Sequence, residues 1–240
     1  MSIEIPKVDL PRYPDQKTIL GLQRLFGDRK IFWDIDGTCK NSLDSVLECV
    51  KNDFGILIKP EEVIGFNGIT EILLNRRSDL NLDYGQMNKY EWTYWTDSDV
   101  LSKAPDVAGA QFVMQMLDAA GFEQEIVTSR IPELAECTHA LLGNFAPWVK
   151  KVSIRSDHTV DGSKFKAQTV GNNVLFDDSI DHVRATIESN PEAIAVYLAY
   201  KQDIGKFPHP RVIEINNSNG ARNMWYTWRI LKRLANVAHY

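Results

Sequence analysis

Apolar and polar residues alternate along this chain in two rhythms. The run Ile31-Phe32-Trp33 is followed at once by Asp34-Ile35-Asp36-Gly37-Thr38; its β-branched and aromatic residues predict a short buried strand with an acidic tip. Residues 125–129 predict a strand ending in hydroxyls, 151–154 another, and 173–178 one that again ends in acids. Residues 193–198 and 212–215 add two more. Between strands the period lengthens to that of helices. Ile19, Leu20, Leu22, Leu25 and Phe26 have near-helical spacing in 16–26, and Leu43, Val46, Leu47, Val50 and Phe54 share one helical face in 42–54. Ser42 is the expected N-cap of the latter and Gly55 its stop. Pro60-Glu61-Glu62 opens a further expected helix, 69–75 and 84–94 follow, and no strand pattern interrupts 42–100. Residues 110–120, 133–142 and 224–235 complete the expected helices, while 1–16, with Pro6, Pro11 and Pro14 among charges, suit an extended surface arm.

Strands alternating with helices predict an α/β fold: a Rossmann-like parallel sheet with helices on both faces and its site beyond the carboxyl ends of the strands. Polar clusters stand at three of those ends, Asp34/Asp36, Thr128/Ser129 and Asp177/Asp178. Along an extended chain Asp34 and Asp36 point the same way with Ile35 turned back into the packing, and Gly37 permits a sharp exit. Paired carboxylates repel unless a cation neutralises them, and a hard, oxygen-liganded ion such as Mg²⁺ suits the arrangement.

Composition narrows the class. The 240 residues allow one catalytic core with a smaller insertion, and 44% hydrophobic with 25% charged residues is ordinary for a globular protein. A net charge of −5 argues against binding long nucleic acid. Cys39, Cys49 and Cys137 lack the spacing of a zinc site or disulfide framework, and neither a leader pattern nor a membrane-length apolar run is present. A cytoplasmic protein is expected.

The parts suit hydrolysis of a phosphate monoester through a covalent intermediate. Asp34 would attack phosphorus, and Asp36 would protonate the leaving oxygen and later take a proton from water. Thr128 and Ser129 would donate to the phosphoryl oxygens, a lysine before the 173–178 strand would add fixed positive charge, and Arg130 is a candidate for binding substrate. Asp177 and Asp178 would complete the metal's oxygen shell with Asp34 and Asp36.

Asp34-x-Asp36-Gly37-Thr38, Ile126-Val127-Thr128-Ser129, an upstream lysine and Leu175-Phe176-Asp177-Asp178 together resemble the motifs of the haloacid dehalogenase-like superfamily. The second acid, Asp36, is similar to its phosphatase branch, and the whole resembles the 5′(3′)-deoxyribonucleotidases, although Arg130 stands where those proteins often carry proline. The resemblance implies an arm, helix and first core strand in 1–41, a helical cap in 42–103 inserted after the first strand, and the rest of the core in 104–240. It prefers Lys166 as the site lysine, with Lys164 open. It implies a small phosphorylated substrate, a nucleoside monophosphate first. A sugar phosphate, an oligonucleotide's terminal phosphate, or a binding protein that has lost activity are the alternatives. The cap carries Phe54, Phe66, Tyr84, Tyr90, Trp92, Tyr94 and Trp95; Trp92 and Trp95 are candidates for stacking on a base, and Asn67 for reaching its polar groups.

Overall fold

A computed structural model describes residues 13–65, 67–215 and 223–237. Most of the expected arm, and Phe66 of the cap, lie outside the described residues. In chain order, α1 (Gln16–Phe26) precedes β1 (Ile31–Trp33), and α2 (Ser42–Phe54), α3 (Gly68–Arg76), α4 (Tyr84–Trp95) and α5 (Ser98–Ser102) follow. The chain returns through α6 (Ala110–Ala119) to β2 (Gln124–Thr128), α7 (Ala135–Phe145), β3 (Val152–Ile154), α8 (Gly162–Val170) and β4 (Val174–Asp177). The last elements are α9 (Ile180–Ser189), β5 (Ile194–Tyr197), β6 (Val212–Glu214) and α10 (Met224–Val237).

The six strands form one sheet in the order β3-β2-β1-β4-β5-β6, every pair parallel. This is the expected Rossmann-like α/β architecture. Its central strands β1, β2 and β4 are buried throughout, because helices cover both faces; continuous apolar runs therefore replaced alternation in the sequence. β1 lies between β2 and β4, with Trp33 level with Ile126 on one side and Phe176 on the other. The three polar strand ends are thus neighbours on one edge.

The main core joins Trp33, Ile126, Phe176 and Val196 to Leu22 and Phe26 of α1 and Leu231 and Ala235 of α10. A second apolar cluster draws all its members from 43–100: Leu43, Val46, Leu47, Val50 and Phe54 of α2 with Ile69, Leu73, Met87 and Tyr94. The chain leaves the core for that unit and returns from it side by side. Asn41 donates its N–H to Pro105 O at 2.7 Å, Val107 donates to Cys39 O at 2.9 Å, and Lys40 pairs with Asp106.

Several local expectations are corrected. Pro60–Glu62 is a single 3-10 turn rather than a helix, since Val63 is extended and Gly65 takes φ 73°. Ser42 is the first residue of α2, not its cap; Asn41 holds the cap position, and the Ser42 hydroxyl bonds Asp36. Helices α5, α8 and α9 had not been expected. The buried face of α8 is Lys166, Ala167 and Val170, and a lysine turned inward erases the apolar stripe a sequence reading follows. Among the described residues no helix is long and apolar enough to cross a membrane.

Candidate active site

Asp34 stands just past β1, tied to the neighbouring strand by its N–H to Phe176 O at 2.9 Å. Its buried carboxylate meets a fully buried ammonium from α8: Lys166 Nζ lies 2.8 Å from Asp34 Oδ1 and 2.7 Å from Asp177 Oδ2, at the end of β4. The third neighbour of that ammonium is His182 Nδ1, from the first turn of α9, at 2.9 Å. Asp177 Oδ1 also accepts the Ser179 N–H at 2.8 Å. Of the two lysines left open by the sequence, Lys166 reaches the carboxylates. Lys164 is exposed in the first turn of α8, where its backbone N–H bonds the capping Asp161.

Asp36 does not join Asp34. The N–H groups of Thr38, Cys39 and Lys40 all turn back to Ile35 O, and Gly37 adopts φ 82°, so the extended alternation stops at Asp34. Arg130 takes both Asp36 oxygens, Nε to Oδ2 at 2.9 Å and Nη2 to Oδ1 at 2.7 Å, and Ser42 Oγ adds a bond to Oδ1. The remaining Arg130 arm donates to Thr138 Oγ1 at 3.1 Å. Two expectations change accordingly. Arg130, only 3% exposed in its side chain, is the fork that holds Asp36 rather than a ligand for substrate, and the Asp36 carboxylate is not turned to a metal shared with Asp34. Burial alone would raise the Asp36 pKa, but Arg130 and Ser42 outweigh it and hold the group below the usual carboxylate range.

Thr128 ends β2 buried and accepts the Arg130 N–H at 3.3 Å. Ser129 is partly buried against the start of α8; a Cβ on Gly162 would lie 2.8 Å from Ser129 Cβ, so only glycine admits this approach. Asp178 Oδ2 accepts the Tyr200 hydroxyl at 2.8 Å. His182, Tyr200 and Gly162 had not been singled out from the sequence, and Ser42 only as a helix cap. Tyr200 had one legible signal, a position shortly past the end of a predicted strand.

Trp95 packs between the cap's apolar cluster and a small group made of Leu101, Ile131 and Leu134, so its ring fills the contact between cap and core. Asn67 Oδ1 accepts from Asn88 Nδ2 at 2.9 Å, and Trp92 is exposed on α4.

Solved structures share this arrangement over most of the chain. The HAD-hydrolase YfnB of Bacillus subtilis, bound to magnesium, is 15% identical, with 85% of this chain and 98% of that one covered at a TM-score of 0.54. A haloacid dehalogenase-like family hydrolase from Streptococcus pneumoniae is 11% identical over 80% and 95%, TM-score 0.56. A haloacid dehalogenase-like hydrolase from Bacteroides fragilis is 14% identical over 80% and 98%, TM-score 0.54. The chain has the haloacid dehalogenase-like fold. By sequence, no family model and no curated protein matches it.

The donor atoms at this sheet edge bear on the binding of a divalent cation. Donor atoms of Asp34, Asp177 and His182 lie within 4.8 Å of one another, but Lys166 Nζ is within hydrogen-bond reach of all three, so an ammonium already fills that position. The charge count nevertheless calls for more. Among the described residues the carboxylates of Asp34, Asp36 and Asp177 pair with Lys166 and Arg130 as fixed cations, three acids to two. The imbalance falls on Asp34, whose pKa is pushed up to about 7, first by burial and then by Asp177, with Lys166 opposing. A strand edge rich in carboxylate oxygens, with fewer fixed cations than acids, suits a hard divalent ion such as Mg²⁺.

Proposed function

We propose that this chain is a Mg²⁺-dependent phosphomonoester hydrolase that works through an aspartyl-phosphate on Asp34 and acts on a nucleoside monophosphate. One observation carries the reading: a buried carboxylate at the tip of the central strand is bonded to a fully buried lysine, with hydroxyls past the strand on one side and acids past the strand on the other. Asp34 attacks phosphorus as the bond to the leaving oxygen breaks, and water then releases phosphate from the aspartyl-phosphate, regenerating the carboxylate. Lys166 keeps positive charge beside the nucleophile, and the hydroxyl and N–H groups of Thr128 and Ser129 receive the charge spread over the phosphoryl oxygens. Asp36, held ionised by Arg130, is suited to take the proton of the attacking water; to protonate the leaving oxygen in the first step it must arrive loaded, with the grip of Arg130 slackened. Asp34, Asp178 and a backbone carbonyl would hold Mg²⁺, which would supply positive charge between the carboxylate and the phosphate.

The nucleotide assignment draws on the motif resemblance and on Trp92, an exposed aromatic on the cap. The acidic whole supports a small substrate over a nucleic-acid chain. Purified protein would be assayed against nucleoside monophosphates and sugar phosphates, with Mg²⁺ and with EDTA. Mg²⁺-dependent release of phosphate, fastest from nucleotides, is expected. Preference for sugar phosphates would move the substrate, and absence of turnover on every ester would remove the hydrolase reading.

A further inference from the structure

Lys166 has three N–H bonds to place, no exposure to solvent, and three acceptors within reach. Asp34 Oδ1 at 2.8 Å and Asp177 Oδ2 at 2.7 Å take two of them. The third direction holds only His182 Nδ1, at 2.9 Å. The same ring nitrogen is 3.2 Å from each Asp177 oxygen, which opens a rival arrangement in which Nδ1–H donates to the carboxylate. Counting donors decides between the two. Each Asp177 oxygen already has a donor, Lys166 on Oδ2 and the Ser179 N–H on Oδ1, so neither needs the ring. A proton on Nδ1 would set an N–H against an ammonium that cannot accept, and would leave the third bond of a buried ammonium unmade.

We propose that His182 is a positioning residue for Lys166: its Nδ1 presents a lone pair to the third ammonium N–H and fixes the aim of the other two at Asp34 and Asp177. The ring proton then sits on Nε2, and a flexible four-carbon side chain becomes a tripod with one direction for its charge. Because α9 carries His182 and begins directly after Asp177-Asp178-Ser179, the end of β4 sets both the carboxylate and the ring that complete the tripod.

The tautomer can be read without any assumption about activity, whereas its kinetic consequence rests on the phosphohydrolase reading. Long-range ¹H–¹⁵N NMR of the whole protein, with His182 assigned through His182→Asn, should show a bare Nδ1 and a protonated Nε2. A proton on Nδ1 would overturn the proposal whether or not the protein hydrolyses esters. In turnover, His182→Asn, which restores an acceptor, should keep kcat close to the parent. His182→Leu should lose kcat by roughly tenfold or more, the size of a hydrogen bond to a charged group, with KM little changed and thermal unfolding checking that it is folded. Equal losses in the Asn and Leu variants would mean that the ring only packs, and would also overturn it.

Discussion

At the scale of single residues, the acids on this sheet edge experience opposite fields. Burial alone would raise Asp34, Asp36 and Asp177, yet Lys166 holds Asp177 well below the usual carboxylate range, Arg130 does the same for Asp36, and Asp34 is left high at about 7. The linkage to stability has a definite sign. Above an unfolded value of about 4, Asp34 is ionised in the unfolded chain but keeps its proton in the fold up to about pH 7. It therefore lowers stability progressively across that window, while Asp36 and Asp177 add stability that is present above about pH 4 and lost as acid protonates them. A cation on ionised Asp34 offsets the first effect, so the rise in Tm on adding Mg²⁺ should be larger at pH 8 than at pH 5; equal rises would count against Asp34 as a ligand. Asp34→Asn should abolish turnover in a folded protein, checked by phosphate release beside circular dichroism, and ordinary turnover would remove it as nucleophile. Asp34, Asp177 and the hydroxyls were legible because strand ends are legible. The destination of Asp36 was not, since it depends on a turn that begins one residue after Asp34 and on an arginine 94 positions away.

At the scale of elements, what the sequence concealed is where helices touch other parts. The apolar strands and the amphipathic helices α2, α6 and α10 could be read directly, whereas α8 turns its lysine inward and carries no clear stripe. Its first residue, Gly162, presses on Ser129, so Gly162→Ala should push apart the loop after β2 and the helix that carries Lys166. A displacement of about 1 Å at such a site costs on the order of a hundredfold in rate, which kcat/KM would register; unchanged kinetics would mean that the loop yields freely. Far from the site, Gly21 of α1 lies so close to α10 that any side chain there would overlap the Ala235 carbonyl. Gly21→Leu should therefore lower stability by at least the roughly 1–3 kcal/mol of overpacking, measured by denaturant unfolding, and should leave KM alone in the folded fraction.

At the scale of the whole molecule, the 43–100 apolar cluster meets the small group of Leu101, Ile131 and Leu134 at Trp95, and the two cap tryptophans part company there. Trp95→Leu should slow nucleotide and generic ester hydrolysis alike, because it loosens the seat of the cap. Trp92→Leu should selectively slow nucleotides, by roughly tenfold to a hundredfold if the ring stacks on a base. Parallel kinetics on the two substrates would test both, and a uniform loss from Trp92→Leu would remove it as the base platform. These rings could not be separated by reading the chain, since aromatic content does not say which face of a helix meets a neighbouring unit. The departing and returning chains, hydrogen-bonded from Asn41 to Pro105, have a further consequence. A segment whose two ends lie one hydrogen bond apart can be exchanged for another of different length without cutting a strand or re-registering the sheet. Heredity can then work on the roof and the hearth separately, with what lies between those two residues replaced while the strand tips beneath keep their places.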